Sequence, residues 1–253
     1  MDHTEYVTQN SEKVRIFRYK ITDSTNQRAR EYAEEPGAYL PSVFVSEGQS
    51  AGRGRMGRHF DSERGAGIYM TFLFRPTDIS DVGRITADTA VKVCRAIERV
   101  APVSLDIKWV NDVYVGGKKL AGILTEAKFG AEYGLAEYVA VGVGINLKSR
   151  KFPDGLDKIA TTLEDASGVA VSADDLIYPL IEEFFSRGEP SEFIAEYRRR
   201  SIAVGKRVLV SEHSGASYYA DAVGITDGAG LLLSRDGEVR ELFSGEISIK
   251  FEV

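Results

Sequence analysis

The sequence predicts an α+β fold: a mixed sheet flanked by helices, followed by a small β barrel. Three observations carry that expectation. Apolar residues at Val82, Ile85, Ala90, Val93, Cys94, Ile97 and Ala101 recur with the 3.6-residue period of a helix buried along one stripe. Residues 103–109, 113–115, 120–126 and 138–147 then form a series of short strand-like runs. After Arg198-Arg199-Arg200 the texture changes to five short runs, at 207–211, 218–223, 231–234, 239–242 and 247–250, punctuated by glycine turns. Such spacing marks a closed all-β module of about 50 residues. The expected division is therefore 1–203 and 204–253.

The remaining elements follow in order. Residues 14–21 alternate as a strand. Ser24 with Gln27 three residues on reads as a capping box opening a helix that Pro36-Gly37 stops near Glu35. Residues 42–47 are short and β-branched, hence a strand, and 67–74 are the next. Gly116-Gly117 signals a tight hairpin. Ser172 with Asp175 caps a helix whose pairs Leu176/Ile177, Leu180/Ile181 and Phe184/Phe185 recur every four residues. Pro190 fits the first turn of another helix, carrying Phe193, Ile194 and Tyr197.

Composition narrows the function classes. With 43% hydrophobic and 28% charged residues in 253, the chain is neither disordered nor a disulfide scaffold. Its apolar runs, such as 68–74, fall far short of the roughly 18 residues that span a bilayer. The first twenty residues are polar and carry no secretory apolar core. Cys94, the single cysteine, lies on a helical stripe and reads as core, so a reducing cytoplasm is the expected compartment. The net charge is −6, and 204–253 holds five basic against eight acidic residues. That balance argues against a surface that tracks nucleic-acid phosphates. Of the three histidines, His3, His59 and His213, only His59 lies near a motif.

That motif is Gly52-Arg53-Gly54-Arg55-Met56-Gly57-Arg58. It has the glycine spacing of a dinucleotide fingerprint, but the residues after Gly57 carry no helical stripe. Gly116-Gly117-Lys118-Lys119 likewise lacks the earlier glycine and the following Ser/Thr of a P-loop. Glycines let a backbone approach an anion closely, and arginines offer donor forks to carboxylate and phosphate. Taken alone, the loop fits a solvated basic turn or an RNA-binding element as well as it fits a ligand cradle. A second cluster, Lys108-Trp109-Val110-Asn111-Asp112 with Lys118-Lys119-Leu120-Ala121-Gly122-Ile123-Leu124, puts polar groups at the mouth of an apolar strand pair. Asn-Asp also suits a plain turn, whereas a lysine at that mouth suits a charge aimed into a pocket.

Taken in order, these segments resemble biotin protein ligases. The resemblance rests on Asp23-Ser24-Thr25-Asn26, the run from Gln49 to Arg58, Lys108 to Asp112, Lys119 to Leu124, and Gly142-Val143-Gly144-Ile145-Asn146. Gly245-Glu246-Ile247-Ser248 resembles part of that family's C-terminal barrel, and the match spans nearly the whole chain. Val110 departs from the usual proline, and Phe60 from a common tryptophan.

The resemblance implies a catalytic domain like that of class II aminoacyl-tRNA synthetases, followed by an SH3-like barrel. It implies ATP-dependent activation of biotin to biotinyl-5'-AMP, then transfer to one lysine of a biotin carboxyl carrier protein. Ser24, Thr25, Asn26 and Gln49 would bond the ureido ring; Gly52, Arg53, Gly54, Arg55, Lys119 and Gly122 would complete the biotin site. Arg55, Arg58, Phe60, Lys108, Asn111, Asp112 and Asn146 would line the ATP side, with Phe60 stacked on adenine. Lys119, Arg55 and Asp112 would be catalytic. Asp112 would orient either a water on Mg²⁺ or the attacking lysine. No metal ligands are expected from the chain itself, and Mg²⁺ would accompany ATP. Only about a dozen residues precede the first expected strand, so no DNA-binding domain and no DNA partner are expected; dimerisation through a sheet edge is left open. The rival reading within the fold is a lipoate or octanoate protein ligase or transferase. The Arg-Arg-x-Ser-Gly-Gly run usual in those enzymes is absent here.

Overall fold

A computed structural model describes residues 3–76, 82–130, 136–153, 155–186, 190–212 and 215–249. Two sheets organise them. The larger has eight strands, β1 (Thr4–Val7), β2 (Lys13–Tyr19), β3 (Ser42–Ser46), β4 (Gly67–Phe74), β5 (Asp106–Lys108), β6 (Asp112–Val115), β7 (Lys118–Phe129) and β8 (Ala136–Asn146), in the order β1-β2-β3-β4-β8-β7-β6-β5. Only β2 and β3 run parallel, and such a pair needs a crossover. Helix α1 (Thr25–Ala33) supplies it.

The central strand β4 is buried almost end to end, because helices cover both faces. On one face lie α2 (Val82–Val100), α4 (Ala173–Phe184) and α5 (Pro190–Arg200), over a core that includes Val141, Val143, Ile145, Cys94 and Ile97. Cys94 is wholly buried on the α2 stripe, and burial raises its thiol pKa far above the usual value, which suits a packing residue. On the other face α1 packs Ala29 and Tyr32 against Phe17, Phe44, Leu73 and Ala140. A short helix, α3 (Leu163–Ser167), follows the sheet and was not expected from the sequence. Nor was the edge strand β1, whose four residues have one partner strand and little burial.

The second sheet comprises β9 (Arg207–Ser211), β10 (Ser217–Ile225), β11 (Leu231–Arg235), β12 (Glu238–Leu242) and β13 (Glu246–Ile249), antiparallel in the order β12-β11-β10-β9-β13. It fits an SH3-like module. All five expected strands are present; His213 and Lys250 lie outside the described residues. Val208, Val210, Leu231 and Ile247 join the same apolar cluster as α2 and α5, so the two sheets share a core. Trp109 closes the seam by donating its indole N–H to the Ala229 carbonyl at 2.8 Å.

The local expectations meet different fates. Gly116 and Gly117 take φ of +55° and +77°, the paired left-handed geometry of a two-residue hairpin turn between β6 and β7. The Ser172–Asp175 capping box also forms. The Ser24–Gln27 box does not: Ser24 occupies the cap position without a capping side-chain bond. Asp23 accepts from the Ser24 N–H at 2.6 Å, and the Gln49 amide oxygen accepts from the Thr25 N–H at 2.8 Å. Donors at the helix start are thus taken by groups arriving from outside, which frees Gln27 for other bonds. The 103–109 strand is also shorter than expected, narrowing to Asp106–Lys108 before Trp109 turns into the interior.

Candidate active site

The α1 face of the sheet leaves two cavities at the strand ends. Strand β8 explains their shape, because side chains alternate across a strand. Val141, Val143 and Ile145 enter the helix-covered core, so Gly142, Gly144 and Asn146 face the other way. A Cβ on Gly142 would lie 2.2 Å from Asn26 Oδ1, and one on Gly144 would lie 2.6 Å from the Phe60 ring. The two glycines are therefore recesses, one filled by an amide and one by an aromatic ring.

The first cavity is narrow, about 50 Å³, and is lined by Ser24, Thr25, Asn26, Gln49, Arg53, Gly54, Arg55, Phe60, Asn111, Lys119, Gly122 and Gly144, with Tyr69, Met70, Ile123, Leu124, Gly142 and Val143. Its polar end is a closed network. Gln49 Oε1 accepts from the Thr25 hydroxyl at 3.2 Å, and Gln49 Nε2 donates to Ser62 Oγ at 2.9 Å. The Thr71 hydroxyl donates to Asn26 Oδ1 at 2.6 Å, and Asn26 Nδ2 donates to Glu126 at 2.8 Å. Ser24, Thr25 and Asn26 are all buried. Their polar groups are held in fixed directions, as recognition of a polar ring requires.

The arginine motif folds over this cavity as a tight loop. Gly54 N–H bonds Arg58 O at 2.7 Å and Phe60 N–H bonds Gly52 O at 3.0 Å, so the chain doubles back. A Cβ at Gly52 would lie 2.4 Å from Phe60 O, which explains that glycine although it does not line either cavity. Each arginine has a partner. Arg53 donates to Gln27 Oε1 at 2.9 Å, Arg55 to Asn111 Oδ1 at 3.2 Å, and Arg58 grips both Glu246 oxygens from β13. Mutual repulsion within the loop is thus offset by acceptors from α1, the turn before β6, and the second sheet. Met56, the loop's one large apolar residue, is exposed and sits at a positive φ of 56°. Burial lowers the Arg55 pKa, against the opposing charges of Asp112 and Glu246, while the bond to Glu246 raises that of Arg58.

The second cavity is larger, about 450 Å³. Phe60, Phe152, Leu156, Ile159 and Ala160 give it an apolar wall; Arg58, Lys108, Lys119, Arg150 and Lys158 supply cations, and Asp61, Asp112 and Glu246 carboxylates. Asn146, His59, Tyr114 and Ser248 also line it. Its outer wall is the segment after β8. Arg150 anchors this segment by donating to Asp61 at 2.7 Å and to Glu63 at 3.1 Å, with its guanidinium over the Phe152 ring. At the far end Lys119 N–H bonds Ile159 O and Thr161 N–H bonds Lys119 O. Burial pulls the Lys108 ammonium pKa below its ordinary value, with Asp112 and Glu246 opposing the shift.

The two cavities share Phe60 and Lys119. Lys119 reaches this junction through an irregularity: Asp112 pairs with Gly122 and Val113 with Ala121, yet Tyr114 pairs with Lys119. That one-residue bulge puts Lys119 on the face of Gly122, whose added Cβ would lie 3.2 Å from the lysine tip. Regular alternation would have sent the lysine into the opposite face. Its ammonium stands 2.7 Å from Asp112 Oδ1, a buried oxygen that accepts no hydrogen bond among the described residues. A cation at the meeting point of two cavities, poised by a carboxylate, is placed to bridge two anionic groups.

Of the residues singled out from the sequence, all but Gly52 line one cavity or the other. Asn111, expected on the nucleotide side, borders the narrow cavity instead, because its amide is tied to Ile123 O at 3.0 Å and to Arg55. Arg150, Phe152 and the 156–160 wall were missed; their only sequence signal is an aromatic–cation pair in an irregular stretch.

Comparison with known proteins places this fold in a class of ligases. Residues 19–146 match the model of the biotin/lipoate A/B protein ligase family. The bifunctional ligase/repressor BirA of Bacillus subtilis is 31% identical over 245 residues, 92% of this chain and 74% of that protein. The biotin–[acetyl-CoA-carboxylase] ligase of Mycobacterium tuberculosis is 30% identical, over 81% of this chain and 77% of that protein. Among solved structures, the biotin protein ligase of Aquifex aeolicus in complex with biotin and ATP superposes with a TM-score of 0.78 at 25% identity, covering 94% of this chain and 99% of that one. The chain belongs to the biotin/lipoate A/B protein ligase family, and it is a ligase enzyme. No helix among the described residues is long and apolar enough to cross a membrane.

Proposed function

We propose that the protein is a biotin protein ligase that activates biotin with ATP and passes it to a lysine of a biotin carboxyl carrier domain. The observation that carries this reading is the junction at Lys119, where a narrow, polar-ended cavity meets a larger cavity rich in cations. Biotin has a polar ureido ring at one end and a carboxylate at the other. Thr25, Asn26 and Gln49 match the ring, and Lys119 with the Arg53–Arg55 backbone matches the carboxylate. In the first step a biotin carboxylate oxygen attacks the α-phosphorus of ATP, and pyrophosphate leaves. Positive charge and alignment are the main requirements when two anions must meet. In the second step the carrier amine attacks the acyl carbon, AMP departs, and the amine loses its proton.

The larger cavity suits the nucleotide, with its apolar wall taking the base and Arg58, Lys108 and Lys119 the phosphates. Asp112 would orient the attacking lysine or a water on Mg²⁺. Among the described residues no group of three or more His, Cys, Asp and Glu gathers as a metal site. Mg²⁺ would accompany ATP. The functional division we adopt places the biotin and ATP groups in 1–203, with 204–253 contributing Glu246 and Ser248 to the nucleotide side. A fatty-acyl substrate offers no polar atoms to the Thr25–Asn26–Gln49 end and is the poorer match there.

The test is transfer itself. Purified protein, biotin, ATP and a carrier domain should yield streptavidin-reactive carrier, and omission of ATP should abolish the signal; lipoyl or octanoyl transfer in place of biotin would favour the rival substrate. A second expectation concerns the loop. Residues 52–58 fold over the narrow cavity, so admission of biotin is expected to move the loop outward and its binding to close the loop again. Biotin plus ATP should slow proteolysis within 50–64 at least severalfold. Equal cleavage rates with and without the two ligands would show that closure does not accompany binding.

A further inference from the structure

Glu126 lines neither cavity, yet residues of α1 and of the covering loop converge on it. On β7, Gly122, Leu124 and Glu126 share the α1 face, opposite Gly144, Gly142 and Ala140 of β8. Glu126 Oε2 accepts from Asn26 Nδ2 at 2.8 Å. Glu126 Oε1 accepts from Arg30 NH1 at 3.2 Å and lies 3.7 Å from Arg53 NH1. Arg53 in turn donates to Gln27 on α1. One carboxylate thus touches a wall residue of the narrow cavity and the first arginine of the loop that covers it.

The bland alternative is a partly exposed ion pair worth little on its own. Two features set this one apart. Asn26 spends its N–H groups on Glu126 and on the Leu124 carbonyl, which fixes the direction of its amide at the cavity wall. Arg53 cannot leave the cavity mouth without separating from the same carboxylate. We propose that Glu126 is a positioning residue: it orients Asn26 and holds the closed loop through Arg53, tightening the grip on the occupant of the narrow cavity without touching the nucleotide. The inference rests on that occupant being biotin.

The test uses Glu126→Gln, which can still accept a bond from Asn26 but loses the charge facing Arg30 and Arg53. Biotin affinity is read by calorimetry, with the KM for biotin and for ATP alongside and a urea midpoint as the folding control. The expected result is about a tenfold weaker biotin affinity, an ATP KM within twofold of wild type, and an unchanged midpoint. In an Arg53→Met background the same substitution should add no more than about a twofold further loss, because its charge effect acts through Arg53. Wild-type biotin affinity in Glu126→Gln, equal rises in both KM values, or additive losses in the double variant would each overturn the proposal. Absence of biotin binding by the wild type, seen in the first titration, would instead remove the substrate reading and the proposal with it.

Discussion

Replacing Lys119 by Ala should cut the single-turnover rate of adenylate formation by about 10²–10³-fold, the range observed when one donor is removed from a charge-stabilising site. The lysine stands at the junction of the two cavities and is brought there by the β6–β7 bulge. No other cation lines both cavities among the described residues. The loss should appear in the rate and in nucleotide affinity together, because the cation stabilises the charge where the reactants meet. The variant also leaves the Asp112 carboxylate without its close partner, so some stability should be lost. A Lys119→Ala/Asp112→Asn double variant should recover stability while remaining slow. Recovery of the rate along with stability would mean that Lys119 serves folding rather than chemistry.

The second large effect is expected at a residue with no functional group. Gly142→Ala would place a methyl carbon 2.2 Å from Asn26 Oδ1. Asn26 cannot give way cheaply, since it is buried and bonded to Thr71, Leu124 and Glu126. Forcing it out of that network should lower kcat/KM for biotin about a hundredfold, or ~2.7 kcal/mol, within the range for overpacking a tight interior. The KM for ATP should barely move. Gly144→Ala should behave differently, because its methyl would strike Phe60, which lines both cavities, and both KM values should rise. If Gly142→Ala left biotin kinetics intact, Asn26 would not belong to the biotin site.

These two residues also show how far the sequence could be read. The periodicity of α2 and the glycine-punctuated strands after Arg200 come from burial of one stripe or one face, a signal that local sequence carries. The cavities depend on contacts between distant segments. Gly142 and Gly144 are visible as glycines, but only the packing of Asn26 and Phe60 against β8 shows why no side chain fits there. Lys119 stands out as a lysine before an apolar strand, yet its face is decided by a bulge in pairing with β6 that no residue type announces. Ser24 looked like a helix cap because its spacing to Gln27 is right. It lost that role to Asp23 and to Gln49, which lies 24 positions from the Thr25 it bonds. The outer wall of the larger cavity, Arg150, Phe152 and residues 156–160, has neither periodicity nor a motif. It is held by Arg150 to Asp61 and by backbone bonds to Lys119, long-range contacts that a linear reading does not contain.

The most direct measurement of the central claim is exchange of labelled pyrophosphate into ATP by the wild-type protein, run with biotin, lipoate and octanoate in parallel. The account predicts exchange that depends on biotin, is absent with the two fatty acids, and is weakened in both Lys119→Ala and Arg55→Ala. Exchange driven by lipoate or octanoate, with none from biotin, would contradict it.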